Sequence, residues 1–276
     1  MKKTILSLTL YITLISSAFS QVKVDTTFEL YILLGQSNMA GRGQITEALK
    51  AEENPGVLML SKDNKWILAQ HPLHFDKPKA AGVGPGLSFG IDLAKAKPNV
   101  KIGLVPCAVG GTSIERWQPG AYDESTNTHP YDDALIRIKT AMRSGIIKGI
   151  IWHQGEANSS DEKSAKYLTQ LKMLIGRLRK EVGNAELPFI VGELGRYRAR
   201  YALINSQLTK VPGLIPFTGL ATSEKLVHKG DSTHFDGPSA NELGHRFAQK
   251  MLEVQQKISV QHLKLKTPKV KPLKTR

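Results

Sequence analysis

Between Phe28 and Leu252 the chain switches repeatedly between short apolar runs and longer stretches in which apolar residues recur every three or four positions, with no internal repeat and no low-complexity linker. Apolar runs of four to eight residues bounded by Gly, Pro or polar clusters read as buried strands, whereas the three- and four-residue recurrence is the stripe of a helix packed on one side. Strands are therefore predicted over residues 30–34, 57–60, 101–106, 149–153, 189–193 and 215–222, and helices over 85–96, 132–143, 161–182, 198–209 and 238–256. Strands alternating with helices specify a parallel sheet covered on both faces, so the expectation is an α/β domain in three layers.

The helix over 161–182 has the clearest signals. Ser160 can cap it, Asp161 and Glu162 oppose its dipole, and Ala165, Leu168, Leu171, Leu174, Ile175 and Leu178 form a stripe that reads as core. Residues 111–130, rich in Gly, Pro, Ser, Thr and Asn, show no period and are expected to form a long loop on the functional edge of the sheet.

Composition narrows the setting. Lys2 and Lys3, an apolar stretch from Ile5 to Ile15, and small residues at Ala18 and Ser20 describe a secretory signal peptide over 1–20, cut before Gln21, so a secreted or periplasmic protein is expected. No later segment is long and apolar enough to span a bilayer, and no integral membrane segment is expected. The domain is expected over 21–258, followed by a basic tail over 259–276 that is expected to be disordered. The formal charge is +14, of which two units lie in the leader and six in the last fifteen residues, leaving +6 for the body. That distribution argues against a nucleic-acid partner and leaves contact of the Lys-rich tail with an anionic surface as the sharper alternative to simple solvation. The single cysteine, Cys107, ends an apolar run and reads as a small buried hydrophobe.

Four short blocks fall at predicted strand ends: Gly35-Gln36-Ser37-Asn38, Gly110-Gly111-Thr112-Ser113, His153-Gln154-Gly155-Glu156 and Asp231-Ser232-Thr233-His234. Carboxyl ends of parallel strands share one edge, so these blocks can converge although they are far apart in sequence. Ser37 is then a candidate nucleophile against the plainer reading of a helix cap, with His234 as base and Asp231 as its orienting partner. Backbone amides of Ser37 and Gly111 and the side-chain amide of Gln154 are candidate oxyanion donors. Glu156 is either a supporting residue or the orienting acid in place of Asp231. Gln36 and Asn38 are candidates to bind substrate or their own loop, Asn38 more so because it follows Ser37. Trp117 can stack on a sugar or pin the loop to the core; Arg116 can bind hydroxyls or carboxylates or stay solvated. His71 and His74 lack an accompanying acid or thiol cluster, and Gly82-Val83-Gly84-Pro85-Gly86 lacks a phosphate-loop ending, so neither a metal nor a cofactor is expected.

GQSNMAG, GGTS, HQGE and DSTHFD, in this order, resemble the SGNH (GDSL-like) hydrolases, and the HQGE variant resembles their carbohydrate esterase family 6 and sialate O-acetylesterase branch. The resemblance implies a flavodoxin-like three-layer sandwich with about five parallel strands. It also implies that Ser37, Asp231 and His234 form a triad, with Gly111 and Gln154 in the oxyanion hole, acting on an acetylated oligo- or polysaccharide without a cofactor. The function it suggests is a secreted serine esterase of the acetylxylan esterase type working through acetyl-Ser37. A sialate O-acetylesterase and a non-catalytic carbohydrate-binding protein of the same fold are the alternatives.

Overall fold

The computed structural model describes residues 24–266; the expected leader over 1–20 and the last ten residues, 267–276, lie outside the described residues. Seven strands form one sheet: β1 (Phe28–Gly35), β2 (Val57–Leu60), β3 (Trp66–Leu68), β4 (Lys101–Pro106), β5 (Ile146–His153), β6 (Phe189–Gly192) and β7 (Thr218–Ala221). The helices are α1 (Ser37–Ala40), α2 (Glu47–Lys50), α3 (Gly86–Ala96), α4 (Pro130–Ala141), α5 (Asp161–Val182), α6 (Tyr201–Leu208), α7 (Val211–Leu214) and α8 (Gly237–Lys266). The class is α/β, as expected.

The strand order is β3-β2-β4-β1-β5-β6-β7, and every pairing is parallel except that of β3 with β2. Six parallel strands replace the expected five or so, and β3 escaped the sequence reading because its three residues are too short to show a period. Side chains of β1 alternate between the two faces. Leu30, Ile32 and Leu34 join a core with α4, α5 and α6, whereas Tyr31 and Leu33 join a second core with α3 and α8. The chain goes from β1 to one side of the sheet for β2 to β4, then to the other for β5 to β7, so the carboxyl ends of β4, β1 and β5 flank the point where the winding reverses. Open α/β sheets leave a crevice there.

Local chemistry explains the helix ends. The Ser160 hydroxyl accepts from the Lys163 N–H, and left-handed Gly183 (φ 75°) closes α5 by donating to the carbonyls of Arg179 and Lys180. The buried stripe of α5 begins at Ser164 and Tyr167, while Ala165 faces outward, one position off the expected phase. β7 begins at Thr218, three residues later than predicted, because Phe217 turns the chain with φ 59° and the Thr218 hydroxyl donates back to the Ile215 carbonyl at 2.6 Å. α8 continues ten residues past the predicted end at 256, so the expected start of the tail at 259 falls inside a helix. Among the described residues no helix is long and apolar enough to cross a membrane.

Helices α3 and α8 cross so closely that a methyl group at Gly244 would overlap the Pro85 carbonyl oxygen and the Ser88 hydroxyl, whereas Gly176 on the exposed side of α5 faces open space. Gly244→Leu is expected to destabilise the domain by about 3 kcal/mol or more through overpacking. Gly176→Ala is expected to stabilise it by about 0.5–1 kcal/mol through helix propensity. Urea denaturation midpoints at constant slope check both.

Candidate active site

β1 ends at Gly35, whose φ of 135° carries the chain across the end of β5, where the Gln36 N–H donates to the His153 carbonyl at 3.0 Å. A Cβ at position 35 would overlap that carbonyl oxygen, so only glycine permits the approach. The next residue but one, Ser37, opens α1. The cap position belongs to Gln36, which makes no side-chain cap bond, so the Ser37 hydroxyl is not engaged in capping. It meets His234 instead: Ser37 Oγ lies 3.0 Å from His234 Nε2 across 197 residues of sequence.

The loop over 228–236 prepares that imidazole. One carboxylate oxygen of Asp231 accepts the backbone N–H groups of Thr233 (2.9 Å) and His234 (2.8 Å), and the other lies 2.7 Å from His234 Nδ1. A carboxylate can only accept, so Nδ1 carries a proton toward Asp231 and Nε2 is left to accept from Ser37. Partial burial works against ionisation of Asp231, but the His234 N–H, the His234 ring and the Thr233 N–H together hold its pKa down at about 2.

Asn38 locks the two loops together. Its Oδ1 accepts the Phe235 N–H at 3.0 Å and its Nδ2 donates to the Thr233 carbonyl at 3.0 Å, so the residue after Ser37 grips both neighbours of His234. The remaining Asn38 proton goes to Glu156 Oε1 at 2.6 Å. Glu156 is buried, lies 3.9 Å from His153 Nδ1, and supports Asn38; Asp231, not Glu156, faces the imidazole.

The glycine block lies against Ser37: a Cβ at Gly110 would come within 3.3 Å of the Ser37 Cβ. Gly111 has φ 95°, and its N–H, like that of Ser37, has no acceptor among the described residues. Gln154 is placed differently from the expectation. It is fully buried, and its Nε2 is occupied by Gln36 Oε1 (3.2 Å), the Thr112 carbonyl (3.2 Å) and Asn158 Oδ1 (2.7 Å), so it braces the loops and leaves no free donor for an oxyanion. Gln36 is likewise turned inward. Trp117 does not present a face for sugar: it is buried, donates from Nε1 to the Thr112 hydroxyl at 3.2 Å and packs edge-on against Trp152 at 5.3 Å. Arg116 is half-exposed and donates to the Tyr122 carbonyl at 2.7 Å. Cys107 is buried as expected, and burial pushes its thiol up to about 12.

Two residues escaped the sequence reading. Arg42 and Asp76 form a buried ion pair, Nη2 to Oδ2 at 2.6 Å, and the same Oδ2 accepts the Gly110 N–H at 2.8 Å. Nothing local marks them, because they lie 34 residues apart and meet only in the folded chain.

A hydroxyl, an imidazole and a carboxylate stand in hydrogen-bonded series beside two amides without acceptors among the described residues, at the switch point of a parallel sheet, an arrangement able to activate a hydroxyl for attack on an ester. Residues 27–253 match the family described as carbohydrate esterase, sialic acid-specific acetylesterase. A probable carbohydrate esterase of Arabidopsis thaliana is 32% identical over 248 residues, which cover 81% of this chain and 90% of that protein. A crystal structure of an Arabidopsis thaliana protein superposes with a TM-score of 0.72 at 29% identity, covering 82% of this chain and 98% of that one. The fold is shared with a carbohydrate acetylesterase of Xanthomonas citri (TM-score 0.65, 23% identity, 83% of this chain and 57% of that one). It is shared also with NanS (TM-score 0.69, 17% identity, 85% of this chain and 99% of that one). The chain belongs to the carbohydrate esterase family of sialic acid-specific acetylesterases and is a carboxylic ester hydrolase.

The depressed Asp231 pKa makes an acid-side prediction. A carboxyl that ionises more easily folded than unfolded contributes stability above its unfolded pKa of about 3.9, and that contribution disappears as pH falls toward the folded value. The stability difference between wild type and Asp231→Asn is therefore expected to be constant from pH 7 to about 5 and to shrink from there toward pH 2, measured by urea midpoints across that range. Because the Asp231 side chain is 37% exposed, the difference is expected to be small, under about 1 kcal/mol.

Proposed function

We propose that this protein is an exported serine esterase that removes O-acetyl groups from carbohydrate through an acetyl-Ser37 intermediate. The observation that carries the reading is the series Ser37 Oγ to His234 Nε2 at 3.0 Å and His234 Nδ1 to Asp231 at 2.7 Å. The family match supports an acetylated sugar as substrate.

In this reading His234 Nε2 takes the proton as Ser37 Oγ bonds to the acetyl carbonyl carbon, and the resulting oxyanion is met by the N–H groups of Ser37 and Gly111. Collapse breaks the bond to the sugar oxygen, which leaves with the proton from His234, and the acetyl group stays on Ser37. Water then attacks the acyl carbon while His234 takes its proton, acetate leaves, and the serine regains its hydrogen. Asp231 stays ionised throughout and stabilises the imidazolium. Asn38 keeps His234 within reach of Ser37 by holding both of its chain neighbours. The signal-like leader supports export, and the finer substrate is an O-acetylated xylan or an O-acetylated sialoside, the second favoured by the family description.

Acetate release from acetylated xylan, O-acetyl sialosides and p-nitrophenyl acetate tests this. Ser37→Ala is expected to lower kcat by about 10⁴-fold or more, and equal release by mutant and wild type would end the esterase reading. Asp231→Ala is expected to lose considerably more activity than Glu156→Gln, because the amide oxygen of glutamine can still accept from Asn38. The reverse ranking would transfer the orienting role to Glu156.

A further inference from the structure

Asp76 takes no part in the proton transfers above, yet its carboxylate is buried against the glycine block, with Oδ2 paired and Oδ1 without a hydrogen-bond partner among the described residues. Its side chain is 4% exposed and that of Arg42 is 5% exposed. Burying two charges is unfavourable unless each finds several partners, and removing one partner alone leaves an uncompensated charge. Here the partners are distributed across the site. Arg42 Nη2 meets Asp76 Oδ2 at 2.6 Å, Arg42 Nη1 donates to the Gly41 carbonyl at 2.7 Å at the end of α1, and Lys229 Nζ, from the loop that carries Asp231 and His234, donates to the Arg42 carbonyl at 3.2 Å. Asp76 Oδ2 also accepts the Gly110 N–H at 2.8 Å. Burial would raise the Asp76 pKa, but the Arg42 guanidinium, the Gly110 N–H and nearby His74 hold it below the usual carboxylate range.

Gly110 is wedged between this pair and Ser37. A Cβ there would run into Arg42 Nη2, would lie 2.9 Å from Asp76 Oδ2, and would lie 3.3 Å from the Ser37 Cβ. The ion pair therefore presses the glycine backbone against the serine and consumes the Gly110 N–H, while the next amide along, that of Gly111, keeps no internal acceptor.

We propose that Asp76, held by Arg42, is a positioning residue that sets the Gly111 N–H for the oxyanion formed at Ser37. The proposal rests on the reading of Ser37 as nucleophile. It assigns the buried pair a role in transition-state binding and not merely in stability, because a donor displaced from the oxyanion loses its value while ground-state contacts survive.

Four variants separate the possibilities: Asp76→Ala, Asp76→Asn, the apolar double Arg42→Met/Asp76→Leu, and Ser37→Ala. Each is measured for thermal midpoint, for kcat and KM on p-nitrophenyl acetate, and for inhibition by phenylboronic acid, whose tetrahedral serine adduct needs the same amides. Asp76→Ala is expected to lower kcat by about 10²-fold with KM within about threefold, and to weaken the boronate by a similar factor. The double variant removes both charges together, so it is expected to recover thermal stability but not turnover. Asp76→Asn, whose amide oxygen can still accept from Gly110, is expected to retain more of both kcat and boronate affinity than Asp76→Ala. A folded double variant with wild-type kcat and boronate affinity would overturn the proposal. If the double variant does not fold, the two single variants decide: kcat and boronate affinity falling together in Asp76→Ala and largely restored in Asp76→Asn supports the role, and both unchanged in Asp76→Ala overturns it. Wild-type turnover by Ser37→Ala would overturn the nucleophile reading itself, and the proposal with it. Loss of activity in Ser37→Ala beside unchanged activity in the Asp76 variants would overturn the positioning role alone.

Discussion

The site depends on one close approach, the passage of the Gly35-Gln36 turn over the end of β5. There the His153 carbonyl occupies the space a side chain would need and accepts the Gln36 N–H. That contact decides where Ser37 emerges, and because β4, β1 and β5 are adjacent it also decides which loops can reach the serine. The glycine block comes from β4, the HQGE block from β5, and the Asp-His loop folds across from between β7 and α8. None of the four blocks makes a site alone.

Convergence is then secured by hydrogen bonds that bypass the reacting atoms. Asn38 ties the serine turn to the backbone on either side of His234, Glu156 ties Asn38 to the end of β5, and Gln154 and Asn158 tie the start of α5's loop to the glycine block. Low dielectric strengthens the bonds this network makes and penalises those it leaves unmade, and Gln154 Oε1, Glu156 Oε2 and His153 Nδ1 are buried without a hydrogen-bond partner among the described residues. The polar residues around Ser37 divide into a thin, partly exposed layer, Asp231 and His234, over a buried supporting one.

Much of this was legible before folding was considered, for reasons that can be named. The apolar runs of β1, β4 and β5 stop abruptly at glycine-containing polar blocks, and the three-residue step from Asp231 to His234 brings carboxylate and ring together within one turn of chain. What could not be read was whatever depends on the direction of a side chain. Trp117 and Gln154 carry groups suited to sugar and oxyanion, yet both point into the interior, where Trp152, Thr112 and Asn158 are their partners. Arg42 and Asp76 have neither period nor motif to mark them. The ends of α8 and β7 were missed because a helix with exposed faces fades gradually in composition, and because a positive φ at Phe217 has no sequence signature.

The two margins of the sheet have a further consequence. One ends in β3, three residues long and running against its neighbour, and the other in β7, four residues long. Unpaired ladder groups at such borders are a template for recruiting strands from other molecules, and brevity leaves little length on which a foreign strand could zip. Shortness thus limits edge-to-edge recruitment even though β3 carries no charge and leaves Ile67 and Leu68 exposed.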